Sequence, residues 1–317
     1  MLQSAPAPDA VAASRPDRPV TAPERVLQRL DWQVVRRLDG LLQGDYRSLF
    51  RGAGLDLASL REYEPGDDVR RIDWNVTART TIPHVREYHE DREITAWFLL
   101  DLSPSVDFGT GDDGRLKRSV LVDFTATMAR LMTRRGNRVG AMFFASDVDR
   151  TLPAAGGRAQ VLRIVSDLMA EPHLERAPVT DLGALFGAAH RQIKRRSMVV
   201  IVSDFISAPG WEKPLHLLNR RHEVLAVRLS DPRETVLPDV GPIVVEDAET
   251  GEQLVVDTHD AKFRKRFEAA AAAREAELAL AFGRAGIDAV TLSTDDDLVR
   301  AIVRMATRRK RRRRSRA

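Results

Sequence analysis

Along the middle of the chain, short apolar runs alternate with stretches whose apolar residues recur every three or four positions. Ile94 to Leu100 is a run with the length of a buried strand, and Ser197 to Phe205 is a second. Leu116, Val120, Phe124, Met128 and Leu131 mark one face of a helix running to about Arg135, which Gly136-Asn137 would end. Leu182, Leu185, Phe186, Ala189 and Ile193 mark another helix. Strands are expected at Arg138 to Phe144, at Val148 to Leu152, at Glu223 to Leu229 and, last, at Ile287 to Leu292. Helices are expected at Gln160 to Met169, at Trp211 to Arg221, in the Ala-rich stretch Phe263 to Ala285, and at Asp297 to Ala306. Strands alternating with helices of about 10–15 residues predict an α/β fold, a doubly wound, mostly parallel sheet flanked by helices on both faces.

Three stretches stand outside that rhythm. Residues 232–258 contain P-I-V-V-E-D-A-E-T-G-E-Q-L-V-V-D, a hairpin insertion turning near Thr250-Gly251. From Arg25 to Leu42, Val26, Leu30, Val34, Val35, Leu38 and Leu41 recur at helical spacing with arginines between them. That helix either packs on its own domain or lies on a membrane surface, with the first the commoner use of such a stripe. Residues 43–93 are polar and rich in Arg and Asp, with a turn at Pro65-Gly66. There Glu62, Asp67, Asp68 and Asp73 oppose Arg61, Arg70, Arg71 and Arg79. One reading is a self-paired network with Tyr63 and Trp74 as anchors; the other is a grip for a partner or a phosphate. Thr81 to His89 reads as an edge strand leading to Ile94.

The resulting organisation is a Pro-rich disordered leader (1–24), a helix with a polar module (25–93), the α/β domain (94–306) and a basic tail (307–317). Apolar residues make up 43% of the 317 and charged ones 30%, a balance that supports a sizeable core. Cysteine is absent, which excludes disulfides, thiolate metal sites and a cysteine nucleophile and fits a cytoplasmic protein. No apolar run reaches the roughly 18–20 residues of a membrane-spanning helix, and no signal peptide is expected. The net charge is +4, yet eight of the nine residues 308–316 are Arg or Lys, so the remainder carries −4. Nucleic-acid or anionic-surface binding, if it occurs, belongs to that tail, where no interleaved aromatic residues suggest base stacking.

Candidate chemistry lies in three polar loops. Asp101, Ser103 and Ser105 follow the first buried strand at alternate positions, Thr180-Asp181 precedes a helix, and Ser203-Asp204 ends the second buried strand. Right-handed crossovers place the carboxyl ends of parallel strands at one rim. If the two apolar strands are neighbours at a topological switch point, Asp101 and Asp204 meet there. Two carboxylates and three hydroxyls are hard oxygen donors, suited to Mg²⁺, Mn²⁺ or Ca²⁺.

D-L-S-P-S at 101–105, Thr180 and Asp204 resemble the metal-ion-dependent adhesion site of von Willebrand factor A-like domains. E-Y-E-P-G-D-D-V-R-R-I-D-W-N-V-T-A-R-T at 62–80, followed by V-R-E-Y at 85–88, is similar to the signature of the bacterial domain-of-unknown-function fifty-eight family. The similarity covers roughly residues 40–235. It implies a von Willebrand A-like fold and a non-catalytic cytoplasmic accessory protein. Its Mg²⁺ would bind an acidic residue of a partner, either a MoxR-type AAA+ ATPase or that ATPase's client. By the same resemblance Ser103, Ser105 and Thr180 ligate the ion, with Asp101 and Asp204 often acting through water; neither Asp107 nor Asp181 is required. The main rival is a metal-dependent phosphohydrolase or nuclease. A two-metal centre needs more carboxylates, an aspartyl-phosphate phosphatase of the haloacid dehalogenase type would need Asp where Ser103 stands, and neither a P-loop nor a G-x-S-x-G elbow is present.

Overall fold

The computed structural model describes residues 20–41, 60–69, 72–86, 94–110, 114–145, 147–172, 180–247 and 251–314. The first described helix is α1 (Ala22–Leu30), at whose start the backbone N–H and hydroxyl of Thr21 both donate to the Glu24 carboxylate, at 2.8 and 3.0 Å. A π-helical turn (Asp31–Val35) joins it to α2 (Arg36–Leu41). Leu27, Leu30, Val34, Val35 and Leu38 are buried in the main core. Arg29 pairs with Asp123 at 2.5 Å, Asp31 with Arg130 at 3.1 Å and Asp39 with Arg134 at 2.8 Å. The amphipathic stripe therefore covers its own domain. This helix starts inside the stretch expected to be a leader; residues 1–19 lie outside the described residues.

The polar module forms its own small sheet, β1 (Leu60–Glu62) antiparallel to β2 (His84–Arg86), with α3 (Trp74–Thr80) between them. Of the edge strand expected over 81–89, the described residues hold His84–Arg86, which pairs with β1 and not with the large sheet; residues 87–89 lie outside the described residues. Arg61 holds Asp67 through both guanidinium nitrogens at 2.7 and 2.6 Å, as a self-paired network requires. Trp74, expected to be an anchor, is instead 69% exposed. It is the first residue of a short helix, which the buried Asp73 caps by accepting from Val76 N–H. Arg70 and Arg71 lie outside the described residues.

The remaining chain builds β3 (Thr95–Asp101), α4 (Lys117–Thr133), β4 (Arg138–Phe144), β5 (Val148–Ala155), α5 (Gly157–Ala170), α6 (Leu182–Gln192), β6 (Met198–Ser203), α7 (Glu212–Arg221) and β7 (Glu223–Ser230). A separate hairpin, β8 (Pro242–Glu246) with β9 (Gln253–Asp257), precedes α8 (Ala261–Ala285), β10 (Asp288–Ser293) and α9 (Leu298–Arg314). The strands order β10-β7-β6-β3-β4-β5, with β5 alone antiparallel. This is the doubly wound, mostly parallel α/β class that the strand–helix alternation predicts. From β3 the chain moves outward to β4 and β5, then returns to β6 on the other side of β3, so the switch point lies between β3 and β6.

Alternation along β3 separates two cores. Phe98 and Leu100 face the layer of α1, α4, α5 and α9, while Leu99 faces α6, α7 and α8. Burying each such side chain contributes about 1.5–3 kcal/mol. Both faces being covered explains why β3 and β6 read as continuous apolar runs rather than as alternating ones. Trp97 lies opposite Gly140, where any Cβ would come within 2.9 Å of the indole.

Two elements run well past the C-terminal ends the sequence suggests. Strand β5 continues past Leu152 through Pro153 to Ala155, which an edge strand allows because one row of its N–H groups is unpaired. Helix α9 continues past Ala306 into the arginine run, where Arg309 is buried against Glu223 and Asp288. At least that one of the basic residues is part of the fold. Leu38→Ala should cost about 2–5 kcal/mol in urea unfolding, whereas Trp74→Ala should stay within about 0.5 kcal/mol. A large loss at Trp74 would reveal that its ring has a covered partner.

Candidate functional site

Strands β3 and β6 are hydrogen-bonded neighbours, so their carboxyl ends bring Asp101 and Asp204 to the same rim. Both are buried, as are Ser103, Ser105 and Thr180. The Asp101 carboxylate folds the loop beneath it, accepting from Ser103 N–H at 3.0 Å and from the Ser203 hydroxyl at 2.6 Å. Ser103 begins a 3₁₀ turn (Pro104–Asp107) that returns Ser105, and the two hydroxyls lie 3.1 Å apart. Thr180 is fixed from the other side: its carbonyl accepts from Ala208 N–H at 2.8 Å and from the Ser207 hydroxyl at 2.9 Å. Four of the five expected site residues thus stand on the loops of two adjacent strands, and Thr180 is tied to the loop that follows Asp204.

After Asp204 the backbone turns sharply. Phe205 has φ +56°, a left-handed conformation costing a non-glycine residue roughly 1–2 kcal/mol. The ring is buried against Phe282, at 4.9 Å between centroids, and Trp211, at 5.7 Å. Packing offsets the strain and fixes the direction in which Asp204 leaves the sheet. The Ser203 hydroxyl accepts from Phe205 N–H at 2.8 Å, and Asp204 Oδ1 accepts from Ile206 N–H at 3.0 Å.

Sequence reasoning missed the cation. The Lys117 ammonium, buried at the start of α4, donates to Asp204 Oδ2 at 2.7 Å and to Glu234 Oε1 at 2.5 Å, and lies 5.7 Å from the Phe108 ring centroid. Glu234 is held in turn by Asp231 N–H at 3.1 Å. Asp231 accepts from Thr110 N–H and hydroxyl and from the Thr294 hydroxyl, joining the β3, β7 and β10 loops. Nothing in L-K-R-S-V marks Lys117, since a lysine at a helix start ordinarily faces water; only tertiary packing covers it. Burial pulls its ammonium towards neutrality, but Asp204 and Glu234 outweigh that and hold it protonated. Asp107 pairs with Arg118 at 3.3 Å, and Asp181 caps α6 through Ala184 N–H; both have structural work of their own.

Burial, reinforced by the negative charge of Asp204, pushes Asp101 up to about 7 against the hydrogen bonds from Ser203 and Ser103. A carboxyl raised in the folded state binds its proton more tightly there than when unfolded. Its contribution to stability is therefore greatest below about pH 4 and falls as pH rises towards 7. Asp101→Asn mimics the protonated form. In chelator-containing buffer it should raise the melting temperature by a few degrees at pH 8, on the order of 5 °C, and hardly at all at pH 4. An equal effect at both pH values would contradict the assignment.

Residues 59–277 match the family described as "Protein of unknown function DUF58". The uncharacterised protein Rv1480 of Mycobacterium tuberculosis is 39% identical over 285 residues, covering 90% of this chain and 89% of that protein. The uncharacterised protein MAV169 of Mycobacterium avium is 40% identical over 163 residues, covering 50% and 94% respectively. Among solved structures, the conserved hypothetical protein BatB from Bacteroides thetaiotaomicron is 12% identical with a TM-score of 0.43, covering 69% of this chain and 99% of that one. The SpRpn10 VWA domain is 13% identical with a TM-score of 0.37, covering 66% and 94%. The span of the family match and the identity to the mycobacterial relatives place this chain in the DUF58 family.

Proposed function

We propose that this protein is a non-catalytic adaptor that recognises an acidic residue of a partner through a divalent-metal adhesion site, in the cytoplasm and together with a MoxR-type AAA+ ATPase. The observation that carries the reading is the convergence of buried Asp101 and Asp204 with the paired hydroxyls of Ser103 and Ser105 at the switch point. The donor set fits a hard cation: all oxygen, partly neutral, with two desolvated carboxylates whose mutual repulsion a cation relieves. Ser103, Ser105 and Thr180 would hold Mg²⁺ directly, Asp101 and Asp204 from behind. When bound, the ion supplies a positive position that a carboxylate from outside can complete.

The residues here do the positioning. Ser203 and Ser103 N–H orient Asp101, while Ile206 N–H and Lys117 orient Asp204. Among the described residues no three of His, Cys, Asp and Glu group so as to hold a metal by themselves, which weighs against a two-metal hydrolase. Among them, too, no helix is long and apolar enough to cross a membrane.

The test is recovery of partners from native lysate by wild type and by Asp101→Ala, each in Mg²⁺ and in EDTA. An AAA+ ATPase should accompany wild type in Mg²⁺ and fall at least about tenfold in the other three samples, the scale on which metal sites lose affinity when a supporting group is removed. The same partners in all four samples would remove the metal from recognition and turn attention to the Arg61–Thr80 module.

A further inference from the structure

We propose that Lys117 is an internal cation that competes with the divalent ion for Asp204 and so sets the metal affinity of the site. The inference rests on the adhesion-site reading and deepens it. Its basis is geometric. The ammonium contacts Asp204 Oδ2 at 2.7 Å from inside the protein, while the other oxygen of that carboxylate is taken by Ile206 N–H at 3.0 Å. A metal drawing on Asp204 therefore meets a carboxylate already neutralised by a tethered charge.

Stability does not account for such an arrangement. Buried ion pairs are often no better for stability than well-packed apolar side chains of the same volume. Here a lysine, two carboxylates and the capping turn Pro232–Glu234 are committed to one pair of contacts. Glu234 gives the ammonium a second place to rest, and the Phe108 ring a third favourable contact, if Asp204 turns towards a metal. Lys117 also alters the charge that a partner meets. With Asp101, Asp204 and Glu234 ionised, a divalent ion and Lys117 together bring the cluster to neutrality. Without the lysine the same cluster would remain net negative and repel an incoming carboxylate. The lysine thus weakens metal binding by the isolated protein and favours joint binding of metal and acidic partner.

The probe is Mn²⁺, with the free ion followed by electron paramagnetic resonance during titration of wild type and Lys117→Met. The variant should bind at least about tenfold more tightly, because a like charge close to the ion has been removed. Equal or weaker binding by a folded variant would overturn the role of Lys117 and leave the adhesion site standing. No uptake by either protein at millimolar Mn²⁺ would overturn both. Should Lys117→Met fail to fold, wild type labelled with ¹⁵N-lysine decides the matter. The Lys117 ammonium resonance should shift with the midpoint of Mg²⁺ binding, and a resonance that stays put while Mg²⁺ binds would refute the competition.

Discussion

Two carboxylates at the ends of adjacent parallel strands set the terms for the surrounding loops. Neighbouring strands lie about 4.8 Å apart, so a pairing that aligns β3 with β6 also brings Asp101 and Asp204 close together in a region shielded from water. Charges so placed repel strongly, and the local structure is organised around offsetting that repulsion. Ser203 and the Ser103 N–H serve one carboxylate, Lys117 and the Ile206 N–H the other. Even so, Asp101 ionises only with difficulty. Burial is the larger cause, and the neighbouring Asp204 carboxylate adds to it.

The supports reach well beyond the two aspartates. Asp231 gathers the loops after β3, β7 and β10, and its partner across the capping turn, Glu234, carries the chain of contacts on to Lys117. On the opposite face, the aromatic group of Phe205, Trp211 and Phe282 stabilises a backbone conformation that a phenylalanine would not adopt unaided. Rigid elements therefore hold the rim from both sides. The small β1–β2 sheet has a different character, with a bidentate Arg61–Asp67 pair and an exposed Trp74.

Much of this is legible in the amino-acid order, and for identifiable reasons. The strand–helix alternation reveals the class because each element shows its burial in its own period, and the long runs of β3 and β6 announce strands covered on both faces. Asp101, Ser103, Ser105 and Asp204 are visible because oxygen-bearing side chains directly after a buried apolar run stand at the carboxyl rim of the sheet, where ligands bind. Misleading are the places where a residue's type contradicts its surroundings. Pro153 looks like the end of a strand, and the arginines after Ala306 look like the end of a helix, yet both elements continue. Trp74 looks like an anchor because tryptophan is usually covered, and here it is not.

By itself, then, the sequence determined which segments are strands and helices, which faces they bury, and which oxygen-bearing loops end the two central strands. Those properties depend on local spacing and on transfer of side chains from water, and both are written along the chain. Only the tertiary structure decided that Lys117 enters the site, that Glu234 holds it there and that Arg309 belongs to the fold. A charged side chain carries no local mark of burial. Its environment is set by partners 87 and 117 residues away, in the case of Lys117, and those partners are brought to it only when the sheet closes.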